Sequence, residues 1–314
     1  MNTELIKLSE RVIAEGSKSF AAASRLLDRR ARESAVLLYA WCRYCDDMVD
    51  GQTLGQGRVD REGSASERLE DLRRQTAAAL ESSVAVDPPF EALRLVVRRH
   101  GIPHAAPRHL LDGFSLDLTN VRCATFQDTL LYAYHVAGVV GLMMAWTMDV
   151  SDESTLDRAC DLGLALQLTN IARDVLADAE IGRIYLPVDW LDEADVPIDP
   201  ERFSDHKQPL VAVVGRLLDQ AEPYYGSALV GIGALRARRA WSIAAARAVY
   251  REIGVAVRRS GAEAWDNRAG VSKPRKLALL TGALAQTAWL KAGLARVNTG
   301  RDGLWRRPSL RPST

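Results

Sequence analysis

Apolar residues recur along this chain at helical rather than strand spacing. Leu164, Leu168, Ile171 and Val175 fall at steps of four, three and four within STLDRACDLGLALQLTNIARDVLADAEIG. That segment can start at Ser154, with Asp157 three residues on, and stop near Gly182 before Pro187. ERLEDLRRQTAAALES is rich in helix formers, and FEALRLVVRRHG ends on a glycine, as helices often do. No alternating runs flanked by hairpin turns occur, so the expected fold class is all-α.

Three stretches break the pattern. GQTLGQGRVDREGSAS (51–66) reads as a flexible loop, and YLPVDWLDEADVPIDPERFSD as a second irregular segment. Residues 300–314 are basic and Pro-rich, and are expected to be a disordered tail. No linker-like composition divides the chain and no solenoid repeat appears, so residues 1–314 are expected to form one domain.

Composition narrows the class. With 314 residues, 47% hydrophobic and 26% charged, the chain suits a soluble protein with a large core. A formal net charge of +1 predicts no global attraction to nucleic acid. Cys42 and Cys45 form a C-x-x-C without a second pair at zinc spacing, so buried free thiols are the simpler reading. The absence of a secretory signal places the chain in the cytoplasm. The longest apolar run, Val136–Trp146, falls short of the ~20 residues of a membrane span. His100 and His104 share helical spacing, but Pro103 stands between them.

Two acidic clusters change the picture. In YAWCRYCDDMVD, Tyr39, Arg43, Asp46 and Asp50 form one stripe of a helix, flanked by Asp47. Alone, such a cluster is most often a solvated face. In QLTNIARDVLAD, however, Asn170, Asp174 and Asp178 repeat every four residues and drift toward the leucine stripe, with Gln167 and Arg173 beside them. Two carboxylates about 6 Å apart at an effective dielectric near 20 repel by roughly 3 kcal/mol. Several converging acids therefore need counter-charges. Arg43 and Arg173 can offset two, and divalent cations the rest. Oxygen ligands without His or Cys indicate a hard ion, Mg²⁺ or alternatively Mn²⁺, bound together with substrate phosphates. The residues thus suggest a metal–diphosphate site beside an apolar pocket.

These motifs, with YHVAGVVGLMM and GRIYLP, resemble the squalene/phytoene synthase family, from Gly16–Phe20 to about Leu277. The resemblance implies an isoprenoid (terpenoid) synthase helical bundle around a central cavity. It implies head-to-head condensation of two geranylgeranyl diphosphates, through a cyclopropylcarbinyl diphosphate, to phytoene in carotenoid biosynthesis. Diphosphate is released and no NADPH is expected. The alternatives are dehydrosqualene or squalene formation from farnesyl diphosphate and, more distantly, a non-catalytic membrane-associated assembly factor. Chain-elongating prenyl transferases also pair acidic motifs, but the Asn170 ladder running into GRIYLP argues against them.

Roles carry over by position. Asp46, Asp47 and Asp50 match the first metal motif, and Asn170, Asp174 and Asp178 the second. Arg43, Arg173, Gln167 and Gly16, Ser17, Lys18 and Ser19 match diphosphate-holding positions. Tyr39, Tyr185, Tyr250 and Arg268 match substrate contacts, while Phe20, Tyr132, Val136, Val140 and Gly141 match tunnel walls. Tyr39, Arg43, Asp46, Asp50, Arg173, Asp174, Asp178 and Tyr250 are the expected catalytic set. Gly16 departs from the family, which often has His there. Trp305 among arginines suggests weak peripheral attachment to the inner membrane face.

Overall fold

Asp28, Ser64, Asp152 and Ser272 each stand one residue before a helix, and each side chain accepts a hydrogen bond from the backbone two or three positions into it. Such caps satisfy amide groups that the first helical turn leaves unpaired. Ser64 adds a full capping box, with the Glu67 carboxylate accepting from the Ser64 amide at 2.7 Å. At the other ends, Gly51 and Gly101 adopt the left-handed conformation that stops a helix, at φ of 63° and 61°.

The computed structural model describes residues 2–54, 57, 59, 61–120, 122–293 and 300–310, without the side chains of residues 2, 18 and 19. Among them there is no β-strand. The helices run α1 (Asn2–Gly16), α2 (Lys18–Ser24), α3 (Arg29–Asp50), α4 (Ala65–Glu81), α5 (Pro88–His100) and α6 (Ala105–Leu118). Next come α7 (Phe126–Ala133), a π-helical turn (Tyr134–Gly138), α8 (Val139–Thr147) and α9 (Glu153–Glu180). The series closes with α10 (Val188–Glu193), α11 (Lys207–Ala234), α12 (Ala237–Ser260) and α13 (Lys273–Lys291).

Helix α9 is the axis, packed against α11, α12, α8 and the π turn. Its Leu164, Leu168, Ile171 and Val175 are all buried in the main core, as their spacing requires. Gly141 and Gly163 let α8 and the π turn lie against α9. A Cβ on either would stand 2.4 Å from a backbone oxygen of the partner, that of Ala159 or Ala137. Phe126–Thr147 is long and apolar enough to cross a membrane by length and composition, yet more than half of its apolar window is buried in this core.

Three expectations are corrected. Helix α9 begins at Glu153, because Asp152, not Ser154, caps it by accepting from the Thr155 amide at 2.8 Å. The second irregular segment contains α10 and a 3₁₀ stretch, Pro200–His206. Residues 300–310 are not a loose tail. Arg301 pairs with Asp157 and the buried Asp161, Arg307 with Asp157 and Glu153, and Leu310 is buried. Trp305 packs on Tyr134, with ring centroids 5.4 Å apart, so it is not free to enter a membrane. Residues 311–314 lie outside the described residues. Among the described residues of 51–64 none is helical; Arg61 donates to the Gln52 carbonyl and the Val59 amide to the Gly51 carbonyl.

Candidate active site

Helices α3 and α9 bring their polar faces to one cavity of about 850 Å³. Asp46, Asp50, Asn170, Asp174 and Asp178 all line it, with Arg43, Gln167 and Arg173 among them. Beyond this polar end the walls are apolar, including Val136, Val140, Met144, Leu162 and Leu166. Phe20, Tyr39, Tyr132, Gly141, Tyr185, Tyr250 and Arg268 also face the cavity. Residues far apart in sequence converge because α3 and α9 each turn one helical stripe inward.

Arginines neutralise part of the acid. Arg43 Nη1 lies 2.6 Å from Asp46 Oδ2, and Arg183 Nη2 lies 2.6 Å from Asp50 Oδ1. Asp174 is gripped from two sides, by Arg173 next to it and by Arg268, whose Nε is 2.9 Å from Oδ1. Burial pushes Asp174 upward, but the hydrogen bonds from both arginines outweigh it and hold the carboxyl below its ordinary range.

Other carboxylates are left under strain of charge. Burial, reinforced by Asp174 and opposed by Arg183, lifts Asp178 to about 8. Burial likewise lifts Asp46 to about 7, with Arg43 opposing and Asp50, Asp47 and Asp117 adding. Asn170 donates through Nδ2 to Gln167 Oε1, while its own Oδ1 is buried without a partner among the described residues.

Those observations test the expected cation. Among the described residues no three His, Cys, Asp or Glu side chains are already gathered into a metal cluster. The donors are nevertheless all oxygen, one amide oxygen is orphaned, and two buried carboxyls ionise reluctantly. A hard divalent ion fits this set of oxygen donors.

The sequence reading missed two members. Asp117, at the end of α6, accepts from the Tyr185 hydroxyl at 2.7 Å and lines the cavity. Its charge raises both Asp46 and Asp178, so it links the two acid banks. Burial lifts its own carboxyl, against the pull of Arg183. Arg183 is the other. It sits inside the quoted GRIYLP box, which was the available signal. Asp117 is a lone acid with no periodic partner, and nothing in its spacing marks it. Tyr185 also stacks on Tyr132 at 4.3 Å between centroids. Tyr134, by contrast, is core, bonded to His109.

Some expected positions lie elsewhere. Asp47 is not among the residues that line the cavity: it is buried under the loop after α3, where Oδ2 accepts from the Leu54 amide at 2.7 Å, while Oδ1 lies 4.0 Å from Arg43 Nη1. The geometric reason is a 100° step per residue, which separates it from Asp46. Gly16 and Ser17 are not cavity walls, and Ser17 instead caps α2. A Cβ on Gly16 would meet the Tyr39 hydroxyl at 2.7 Å, so a larger residue there would have to shift the end of that side chain. The side chains of Lys18 and Ser19 lie outside the described residues.

An all-helical shell around a cavity that is oily at one end and ringed by carboxylates and guanidiniums at the other defines an isoprenoid synthase, a class built to hold prenyl diphosphates. The sequence profile described as squalene/phytoene synthase matches residues 13–275, and the chain belongs to that family of prenyltransferases. It is 49% identical over 308 residues to a phytoene synthase of Pseudescherichia vulneris, covering 97% of this chain and 98% of the relative. It is 48% identical to a 15-cis-phytoene synthase of a Paracoccus species, covering 98% and 99%. Among solved structures, a dehydrosqualene synthase in complex with ligand superposes with a TM-score of 0.78 at 30% identity, over 93% of this chain and 98% of the other.

Proposed function

We propose that this enzyme joins two molecules of geranylgeranyl diphosphate head to head, through a cyclopropylcarbinyl diphosphate, to give 15-cis-phytoene and diphosphate. The observation that carries the reading is one cavity whose acid–arginine end opens directly onto a long apolar wall. Its volume, about 850 Å³, lies toward the upper end of the roughly 300–1,000 Å³ typical of ligand pockets. The high identity of the phytoene synthases to this chain supports the C20 substrate.

In this reading Arg43, Arg173, Arg183 and Arg268 meet the negative charge that grows on the diphosphate as its C–O bond ionises. Asp46, Asp50, Asn170, Asp174 and Asp178 would hold Mg²⁺, which would supply Lewis-acid stabilisation of the same leaving group. Gln167 orients Asn170. Tyr39, Tyr132 and Tyr250 present ring faces to the allylic cation, worth about 0.5–2 kcal/mol each. The apolar walls exclude water that would quench that cation. No reductant is needed, because the last carbocation loses a proton to the released diphosphate, forming the central double bond, where hydride would otherwise be required; the reaction is placed in the cytoplasm.

The test is product analysis. Purified protein with Mg²⁺ and geranylgeranyl diphosphate is expected to yield a C40 hydrocarbon without NADPH. Farnesyl diphosphate, supplied separately, should give far less C30 product. Efficient C30 synthesis would move the assignment to dehydrosqualene formation, and longer diphosphates would point to chain elongation.

A further inference from the structure

A charged residue stands in the wall of the cavity well away from its acids. Arg158, near the start of α9, lines it together with Met148, Thr155, Ile232 and Leu235. A guanidinium left among aliphatic groups carries a large desolvation cost, so its acceptors decide where the side chain runs. Those acceptors lie on α11: Arg158 Nη1 donates to the Ser227 carbonyl at 3.3 Å and to the Ser227 hydroxyl oxygen at 3.2 Å. Ser227 is completely buried, and its hydroxyl donates onward to Asp161, the carboxylate that Arg301 grips. Beside this anchor the aliphatic stem passes Gly231, which also lines the cavity. A Cβ on Gly231 would stand 2.8 Å from Arg158 Cβ, 3.6 Å from Cδ and 3.8 Å from Cγ, so the stem lies along the bare backbone of α11.

Distance along α9 shows what that stem would meet. Arg158 precedes Asn170, the first member of the second acid ladder, by twelve residues of continuous helix. At 1.5 Å per residue the separation along the axis is about 18 Å. With carbon–carbon bonds of about 1.5 Å and angles near 111°, an extended chain advances about 1.25 Å per bond. The sixteen-carbon main chain of a C20 prenyl group then spans about 19 Å, that of a C15 group about 14 Å and that of a C25 group about 24 Å. A chain whose first carbon is held level with Asn170 therefore ends at Arg158 when it has four isoprene units. One unit fewer leaves that end empty. One unit more runs into a stem that can swing aside only by breaking its bonds to Ser227.

We propose that Arg158 is a specificity-determining residue: its stem, laid along Gly231 and anchored on Ser227, closes the apolar end of the cavity at the length of a C20 chain and rejects longer ones. This rests on the reading of the cavity as a prenyl diphosphate site and deepens it, by naming the contact that sets chain length. An arginine suits the task better than a leucine, because hydrogen bonds at its head remove the rotamer freedom that would let an apolar side chain yield.

The test uses the full-length chain with Mg²⁺ and three substrates: farnesyl, geranylgeranyl and geranylfarnesyl diphosphate, each alone and the last also mixed with the C20 compound. Wild type is expected to turn over the C20 substrate and to reject the C25 one. Arg158→Ala should raise kcat/KM for the C25 substrate relative to C20 by about tenfold or more, the discrimination a single methylene can give in an apolar pocket. Hydrocarbons of C45 or C50 identify the product. Gly231→Ala adds a methyl to the cavity end and displaces the stem, so it should shift the preference the other way, toward farnesyl diphosphate. Arg158→Val gives the first comparison if the alanine variant fails to fold, and the melting temperature of each variant reports folding. A wild type that makes C40 product while every folded variant keeps its C25-to-C20 ratio overturns the proposal and leaves the catalytic reading intact. So does a wild type that accepts the C25 substrate as readily as the C20 one. A wild type that prefers farnesyl diphosphate overturns both, since Arg158 would then lie one isoprene unit too deep.

Discussion

Arg183 and Asp50, 133 residues apart in sequence, form an ion pair with Nη2 2.6 Å from Oδ1. The pair ties the C-terminal end of α3 to the chain just beyond α9, and thus fastens one acid bank to the other. It places a guanidinium at the polar end of the cavity, where a leaving diphosphate would sit. Replacing Arg183 by Gln is expected to lower kcat/KM by about 10²–10³, the usual cost of removing a group that stabilises developing charge. The helical signal in circular dichroism should be retained, and Arg183→Lys should recover part of the activity. A glutamine variant within twofold of wild type would reduce the pair to a structural tie.

The response to metal should depend on pH in a defined direction. Asp46 and Asp178 are held at about 7 and about 8, both far above the ordinary 3.8. Between 3.8 and those values the folded protein binds more protons than the unfolded chain, so their contribution to stability falls as pH rises through this window. A cation relieves that loss only once the carboxyls are ionised. The increase in Tm produced by Mg²⁺ with inorganic pyrophosphate should therefore be larger at about pH 8.5 than at about pH 6. Scanning fluorimetry with and without EDTA measures both increments. An equal or larger increment at the lower pH would remove these two carboxylates from the ligand set.

The helical class and both acid ladders were legible because periodicity survives without coordinates. A four-residue repeat of Asn170, Asp174 and Asp178 can only be one face of a helix, and Leu164 to Val175 fix how that face sits against the core. The same arithmetic set Asp46 in the α3 stripe and Asp47 beside it. What could not be read is that the Leu54 amide, on the loop after α3, takes up the Asp47 carboxylate. Asp117 was invisible for another reason: it contributes alone, and only the packing of α6 against the π turn and α8 brings it to the acids. The ordered 300–310 segment was missed because its arginines look solvated until Asp157 and Asp161 are seen opposite them.

Neighbouring aspartates should accordingly fail in different ways. Asp47→Ala removes the acceptor of the Leu54 amide under the loop, and should cost about 1–2 kcal/mol of stability with kcat changed less than about threefold. Asp46→Asn removes a cavity carboxylate whose burial is unfavourable when ionised, so Tm at neutral pH should hold or rise. Its turnover should fall by about 100-fold or more, as for other groups that act on the departing charge. Denaturation curves and steady-state rates on the same preparations check both. A large kcat loss for Asp47→Ala with unchanged stability would return that residue to the metal site.

The C-terminal clasp should matter for stability more than for chemistry. Arg301 Nε lies 2.7 Å from Asp161 Oδ2 and Nη2 2.8 Å from Oδ1, and Asp161 is completely buried. Ser227 donates to the same carboxylate from α11, so three parts of the chain meet on one charge. Taking away the guanidinium leaves that charge buried with the Ser227 hydroxyl as its donor among the described residues, and breaking such a pair costs about 3–5 kcal/mol. Arg301→Ala is expected to lose about 3 kcal/mol in urea unfolding, and truncation after residue 299 at least as much. Asp161→Asn in the Arg301→Ala background should restore about half, because a neutral amide tolerates burial better than an unpaired carboxylate. The order of the three values identifies the mechanism: if the double variant is no more stable than Arg301→Ala, the segment acts through Trp305 and Leu310 packing instead of through the buried charge.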